Sequence, residues 1–364
     1  MRVLMLSKAC VVGAYQRKLE ALAAGGVDLT VAVPPEWRDE RGVLPLERAY
    51  TTGYDLTVTP IALNGNFHLH FYPFFDALLR RVRPEIVHID EEPYNFATWL
   101  ALRQAQARGA RTLFFSWQNL HRVYPPPFRW LERDVLRRAD AGLVGNLAAQ
   151  AVWRAKGYRG PLTVIPQFGV DPDLFRPLDR RPEQPFTVGY AGRLVPEKGV
   201  DLLLLALAQA PRVRARLVGS GPEQRLLEHL IQDMGLQDRV TLEAPVPSTQ
   251  MPALLPQLDA LVLPSRTRPN WKEQFGRVLI EAMACGVPVI GSDSGELPHV
   301  IGDAGLVFPE ENVPALARHL RVLRDDAELR ARLAGLGRAR VTAHFTQTKV
   351  AEQTLAVYRT LAAG

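Results

Sequence analysis

The sequence lacks any apolar run approaching the ~18 residues needed for a membrane-crossing helix. It has only two cysteines in 364 residues, Cys10 and Cys285. They have no metal-ligand spacing, which argues against a disulfide scaffold or a zinc module and suits a reducing compartment. No Asp-x-Asp or histidine cluster with metal spacing stands out, so no metal is required. No G-x-G-x-x-G follows the first apolar run, as a dinucleotide-binding oxidoreductase would need. No fixed-period repeat runs through the chain. Lysine is scarce, with six among 44 basic residues. The N-terminal MRVLMLSKACVVG is apolar but interrupted by Ser7 and Lys8, and it has no clear small-residue cleavage site. It reads as a buried first strand rather than a signal peptide, and a cytoplasmic protein is expected.

What is present is ordinary globular material, 47% apolar and 23% charged, long enough for two domains. The net charge of +6 is uneven: residues 1–172 hold 21 Lys+Arg against 16 Asp+Glu, and the remainder 23 against 22. Short apolar runs alternate with helical segments in both halves. RVLML, LTVAV, LTVTPIAL, EIVHID, TLFFSW, AGLVGN and LTVIP read as strands of the first half. FTVGYAG, ARLVG, RVTLE, DALVLP, VI and GLVF read as strands of the second. Such alternation implies parallel sheets covered by helices. Between the halves, DPDLFRPLDRRPEQP is dense in proline and charge and reads as a linker. The expected organisation is domain 1–172, linker 173–185 and domain 186–345, with an amphipathic C-terminal helix over 346–364.

One stretch carries most of the chemistry: WKEQFGRVLIEAMACGVPVIGSDSGELP, Trp271 to Pro298. Glu273 and Glu281 have seven residues between them. A helix beginning near Phe275 would point unpaired N–H groups at whatever precedes it, and Gly276 would allow close approach. Helix dipole and amides together favour phosphate, whereas the carboxylates suit sugar hydroxyls. The pattern therefore predicts a site for a molecule bearing both groups.

This stretch resembles the E-x7-E signature of retaining glycosyltransferases of the GT-B fold, family 4, also called glycosyl transferases group 1. The resemblance implies an α/β protein of GT-B architecture, two Rossmann-like domains with parallel sheets facing across a central cleft. It implies that Glu273 binds donor-sugar hydroxyls, that Glu281 binds the nucleotide ribose, and that Phe275, Gly276 and Arg277 lie by the sugar and diphosphate. Ala191–Gly199, AGRLVPEKG, resembles the family's G-R-L-x-x-x-K-G segment, which assigns Gly192 to the donor site and Arg193 and Lys198 to the leaving diphosphate. The turn around Gly219 and Gly221 matches the loop that lines the nucleotide. Val246 matches the position that reads the base.

The first half matches less densely. The family usually has a glycine pair after strand one; here Gly13 stands alone. Where many members have a histidine in T-x-H-D, this chain reads SWQNLH, so by offset Gln118 replaces the histidine and Asn119 the aspartate, with His121 three residues on. Glu91-Glu92 ends another strand. Gly13, Glu92, Gln118, Asn119 and His121 are the acceptor-side candidates. Pro298-His299 stands where the family often has Pro-Glu.

The reading is a retaining, metal-independent transferase that uses a nucleotide-diphosphate sugar, UDP- or GDP-linked, and a sugar, lipid-linked or other hydroxyl acceptor. Glycan, glycolipid or cell-surface polysaccharide synthesis is the expected setting, with no nucleic-acid partner. The alternatives are a nucleotide-sugar epimerase of the same fold or a nucleotide-sugar-binding protein without turnover. A phosphorylase would need a pyridoxal-lysine motif, which is not apparent. A helix over 67–82, with aromatics at one end and Arg80, Arg81 and Arg83 at the other, raises peripheral contact with an anionic membrane.

Overall fold

The computed structural model describes residues 1–39, 42–178 and 185–363. The chain divides into two compact units, Met1–Gly169 with Gln347–Gly364, and Val170–Thr346. The expected linker, 173–185, spans residues 179–184, which lie outside the described residues.

The first unit is built on seven parallel strands: β1 (Arg2–Leu6), β2 (Asp28–Val33), β5 (Asp55–Val58), β6 (Ile86–Ile89), β7 (Arg111–Ser116), β8 (Ala141–Val144) and β9 (Leu162–Val164). They run in the order β5-β2-β1-β6-β7-β8-β9. An antiparallel hairpin, β3 (Glu36–Asp39) and β4 (Gly42–Pro45), stands outside the sheet. Alternation along β1 sends Leu4 and Leu6 into one core and Val3 and Met5 into the other. Both faces of the sheet are thus buried, as parallel sheets require. The helix Gln347–Ala363 covers one of them. Its Val350, Leu355 and Tyr358 join the Val3 core, and the Tyr358 hydroxyl shares a 2.6 Å hydrogen bond with His88 Nδ1 on β6.

The second unit repeats the plan with six parallel strands: β10 (Thr187–Ala191), β11 (Arg214–Val218), β12 (Val240–Glu243), β13 (Ala260–Leu263), β14 (Val289–Ser292) and β15 (Leu306–Phe308). Their order is β12-β11-β10-β13-β14-β15. In each sheet the strand order reverses beside the first strand, between β1 and β6 and between β10 and β13. Ligands of open α/β sheets bind beyond the carboxyl ends of the strands at such a switch point. The loops that leave these four strands are therefore where chemistry is expected.

Two expectations need correction. The apolar run 56–63 is a strand only to Val58, since Pro60 has no N–H for a ladder. The helix expected over 67–82 begins only at Phe75. Asn66 Oδ1 accepts from the backbone N–H of His68 and Leu69, an Asx turn that competes with helix, and Pro73 follows. The hairpin β3–β4 shows no sequence signal as strong as the sheet strands; only Trp37, 5% exposed, packs inward.

Candidate active site

In the second unit, the β10–helix loop carries Arg193 and Lys198, and a short 3-10 turn at Pro196–Lys198 precedes the helix Val200–Ala208. The loop after β13 carries Ser265, Trp271 and Glu273. These two loops meet at the switch point. Lys198 Nζ lies 2.6 Å from Glu273 Oε2, and the Ser265 hydroxyl donates to the same oxygen at 2.8 Å. Glu273 is 6% exposed, and its carbonyl accepts from the Glu296 N–H at 3.2 Å, which fixes its backbone. Lys198 Nζ also sits 5.0 Å from the centre of the Trp271 ring. Arg193 is half-exposed, 3.8 Å from Glu197, and its carbonyl accepts the Tyr190 hydroxyl at 2.6 Å.

The helix Arg277–Ala284 is capped by Gly276 at φ 73°, a left-handed geometry that favours glycine. Its first closing bond runs from the Leu279 N–H to the Gly276 carbonyl, 2.8 Å. Phe275 packs edge-on against Phe345, 5.7 Å between centroids. Glu281 is buried and accepts from Arg277 Nε at 2.7 Å; burial pushes its carboxyl pKa up, against the pull of the Arg277 charge. Gly192, Gly219 and Gly221 interlock the loops after β10 and β11. The Gly192 N–H donates to Val218 O at 3.0 Å and the Leu194 N–H to Ser220 O at 2.8 Å. A Cβ on Gly219 would lie 1.9 Å from the Gly192 carbonyl oxygen, so the loops could not approach with any side chain there. Val246 is half-buried in the loop after β12.

The first unit places a polar network at its own switch point. Beyond β1, the Ser7 hydroxyl donates to Asp90 Oδ2 at 2.6 Å, and Lys8 Nζ pairs with Glu91. Burial lowers the Lys8 pKa to about 8, and its ammonium lies 5.1 Å from the Trp37 ring centre. Glu91, fully buried, also accepts from the Tyr72 hydroxyl at 3.3 Å and Asn95 Nδ2 at 3.4 Å, with His70 Nε2 at 3.5 Å. Glu92 turns the other way. It accepts from the Ser116 hydroxyl at 2.5 Å and the Trp117 N–H at 2.8 Å. Burial raises its carboxyl pKa to about 7, although these donors favour the anion. Gln118 donates its backbone N–H to Ser116 Oγ at 3.0 Å and Nε2 to Leu120 O at 3.0 Å, while its buried Oε1 has no hydrogen-bond partner among the described residues. Asn119 is buried beside it and His121 is exposed. Gly13 stands apart from this network, its N–H donating to Glu47 Oε2 at 2.6 Å.

Of the expected site residues, the structure thus brings Lys198 onto Glu273, interlocks Gly192 with Gly219, and links Glu92 to Gln118 through Ser116. Sequence reasoning missed Ser265, Trp271, Lys8 and Ser116. With only six lysines, a lysine in the loop after a first strand was itself a signal. Among the described residues no three His, Cys, Asp or Glu side chains gather as a metal-binding group.

A model of glycosyl transferases group 1 matches residues 173–340, and one of glycosyltransferase family 4 matches 16–174. A D-inositol 3-phosphate glycosyltransferase of Stackebrandtia nassauensis is 32% identical over 75% of this chain and 68% of its own length. The chain belongs to glycosyltransferase family 4. An alpha-D-kanosaminyltransferase of Streptomyces kanamyceticus is 30% identical over 81% of this glycosyltransferase and 75% of its own length. Among solved structures, sucrose-phosphate synthase from Thermosynechococcus elongatus superposes with TM-score 0.75 at 23% identity, covering 100% of this chain and 99% of that one. Anabaena HepE, solved with UDP, follows at TM-score 0.73 and 21% identity, covering 99% and 100%. The fold of this glycosyltransferase is therefore GT-B, with two Rossmann-like units.

No helix among the described residues is long and apolar enough to cross a membrane. Of the aromatics expected on one helix, Phe67 and Phe74 are exposed and Tyr72 and Phe75 are buried. Arg80 pairs with Asp76 at 3.1 Å and Arg81 with Asp55 at 3.7 Å, so much of the positive charge there is balanced locally.

Proposed function

We propose that this glycosyltransferase moves a sugar, with retention, from a nucleotide-diphosphate donor to a hydroxyl acceptor. The observation that carries the reading is the Lys198–Glu273 pair at the second unit's switch point, a cation suited to phosphate beside a carboxylate suited to sugar hydroxyls. Lys198 and Arg193 hold the diphosphate, Glu273 the transferred sugar and Glu281 the ribose. The amides around Phe275, Gly276 and Arg277 face the sugar and diphosphate, and Gly192, Gly219, Gly221 and the Val246 loop line the nucleotide.

In the step itself the acceptor oxygen attacks the anomeric carbon on the face from which the diphosphate leaves. The bond from that carbon to the phosphate oxygen breaks, a glycosidic bond forms, and the departing phosphate oxygen takes the acceptor proton. The protein's part is positioning and stabilisation of charge growing on the leaving group. Glu92, Gln118 and Asn119, on the first unit's strand ends, are the groups for acceptor hydroxyls; exposed His121 is the outermost candidate.

UDP and UDP-glucose accompany Anabaena HepE structures, and a Mycobacterium tuberculosis relative is named as GDP-mannose-dependent. Both bases therefore belong in the test. A thermal-shift screen of UDP-, GDP- and ADP-sugars selects the donor, and NMR of the anomeric proton in the product decides retention. Stabilisation by none of them, or an inverted anomer, would overturn the reading.

A further inference from the structure

The loop between β13 and Glu273 carries a miniature hairpin. Arg268 and Trp271 exchange backbone hydrogen bonds, 2.7 and 3.1 Å, around an exposed Pro269-Asn270 tip. The segment leading into it is tied down twice. The Thr267 N–H and hydroxyl donate to the two Glu310 oxygens at 2.5 and 2.6 Å, and Arg266 Nη2 donates to Asp201 at 2.9 Å. A hairpin fixed in this way holds its last residue, Trp271, in one place. That place is beside the Lys198 ammonium, 5.0 Å from the ring centre, on an amine already paired with Glu273.

From this we propose that Trp271 is a positioning residue for Lys198, holding the ammonium by its ring face so that it is available to the donor diphosphate when the Glu273 carboxylate turns to the sugar. The inference rests on the donor-site reading above. A lysine stem has four rotatable carbons and much rotamer freedom to lose. When donor sugar hydroxyls take over Glu273, the ammonium loses its closest anion. An indole face within about 6 Å attracts a cation at any moment without competing for its hydrogen-bond donors. The first unit supports the idea by recurrence, since Lys8, the matching lysine after β1, also lies over an indole, Trp37, at 5.1 Å. The charge matters most as the sugar–phosphate bond breaks, so the indole affects turnover more than ground-state binding.

Trp271 is the sole tryptophan in residues 170–346 and one of six in the chain, so the difference in emission between wild type and Trp271→Phe isolates its signal. Trp271→Leu should lower kcat by about five- to thirtyfold, from the upper end of an exposed cation–π contact to a desolvated one, with donor KM changed less than twofold. Trp271→Phe, which keeps a ring face, should recover kcat to within about threefold of wild type. Titration of the wild type with UDP and, separately, GDP should change indole emission as phosphate reaches the ammonium held beside the ring, and that change should be much smaller in Trp271→Phe although calorimetry still detects the nucleotide. A leucine variant with wild-type kcat, leucine and phenylalanine variants falling equally, or an emission change undiminished in Trp271→Phe would each overturn the inference. An active wild type with an indifferent Trp271 sinks this inference alone; a wild type bound by no nucleotide sinks the donor-site reading beneath it.

Discussion

The two units have the same device at the same topological position. In each, a lysine from the loop after the first strand pairs with a glutamate from the loop after the strand across the switch point, and in each the lysine lies over an indole. The surroundings differ. Glu91 is enclosed by its own unit's Tyr72, Asn95 and His70. Glu273 takes the Ser265 hydroxyl and stands below an exposed hairpin tip. The same constellation is thus set in two different surroundings, and on the proposed reading one pair is an internal strut and the other meets the donor. One residue on, Glu92 turns away from this pair to the Ser116 hydroxyl and the Trp117 N–H.

The sharpest way to break this comparison is to remove each lysine. Lys198→Ala, and likewise Arg193→Ala, should lose turnover by roughly 10²–10³, the cost of one preorganised charge contact of about 2.7–4 kcal/mol, with folding little changed. Lys8→Met should do the reverse. It strands Glu91 without its cation, and breaking a buried pair costs about 3–5 kcal/mol of stability, read by chemical denaturation. A Lys8 variant as stable as wild type but inactive would place the first-unit pair in catalysis and dissolve the distinction.

The same contrast explains what was legible in the sequence. Both sheets were readable because buried parallel strands are near-continuous apolar runs, and the second unit's candidate residues stood out in two segments, Ala191–Gly199 and Trp271–Pro298, whose meeting at Lys198 and Glu273 only the fold shows. The Lys8–Glu91 network was not readable. Its partners come from positions 8, 70, 72, 91 and 95, which only the fold brings together. The helix over 67–74 failed for a local reason, since apolar content there suggested helix while the Asn66 turn and Pro73 decided otherwise. Trp271 stood at the edge of the densest motif and carried no sequence signal of its contact with Lys198.

Next in size are the paired acids of the second unit. Glu281→Gln should weaken free nucleotide and sugar nucleotide alike, by roughly tenfold or more for a charge-assisted hydrogen bond worth about 1.5–3 kcal/mol. Glu273→Gln should weaken only the sugar nucleotide, because the free nucleotide lacks the hydroxyls that it holds. Calorimetry with both ligands decides. Equal losses in the Glu273 variant would mean that it serves the nucleotide and not the sugar.

Glu92 tests the acceptor side through pH. Its folded pKa is raised to about 7 from 4.5, so it holds a proton through mildly acidic conditions. As an anion it can accept an acceptor hydroxyl; as an acid one of its oxygens becomes a donor. The rate at limiting acceptor should therefore rise through pH 7, and Glu92→Gln should remove that inflection. The stability contribution has the opposite slope: a raised carboxyl favours the folded state most below 4.5 and loses that contribution as pH rises towards 7. An inflection that survives in Glu92→Gln would assign the titration to another group.

The smallest effect concerns how the first unit is closed. The helix Gln347–Ala363 covers the Val3 core, and its Tyr358 meets His88 under β6 at 2.6 Å. Burial holds the His88 pKa down to about 4, so the ring is neutral in the fold and His88 favours folding fully only above its ordinary 6.5. Tyr358→Phe keeps the ring packing but leaves the buried His88 Nδ1 without its hydrogen-bond partner, at a cost of about 1–3 kcal/mol. It should lower the unfolding midpoint without changing affinity for UDP or GDP, because the altered contact lies wholly in the first unit. As pH falls from 6.5 towards 4, wild type should lose stability as the unfolded histidine takes up a proton that the folded one refuses. A Tyr358→Phe variant that weakened nucleotide binding would show that the tail helix governs the donor site, and the two units could no longer be treated as separately responsible for their chemistry.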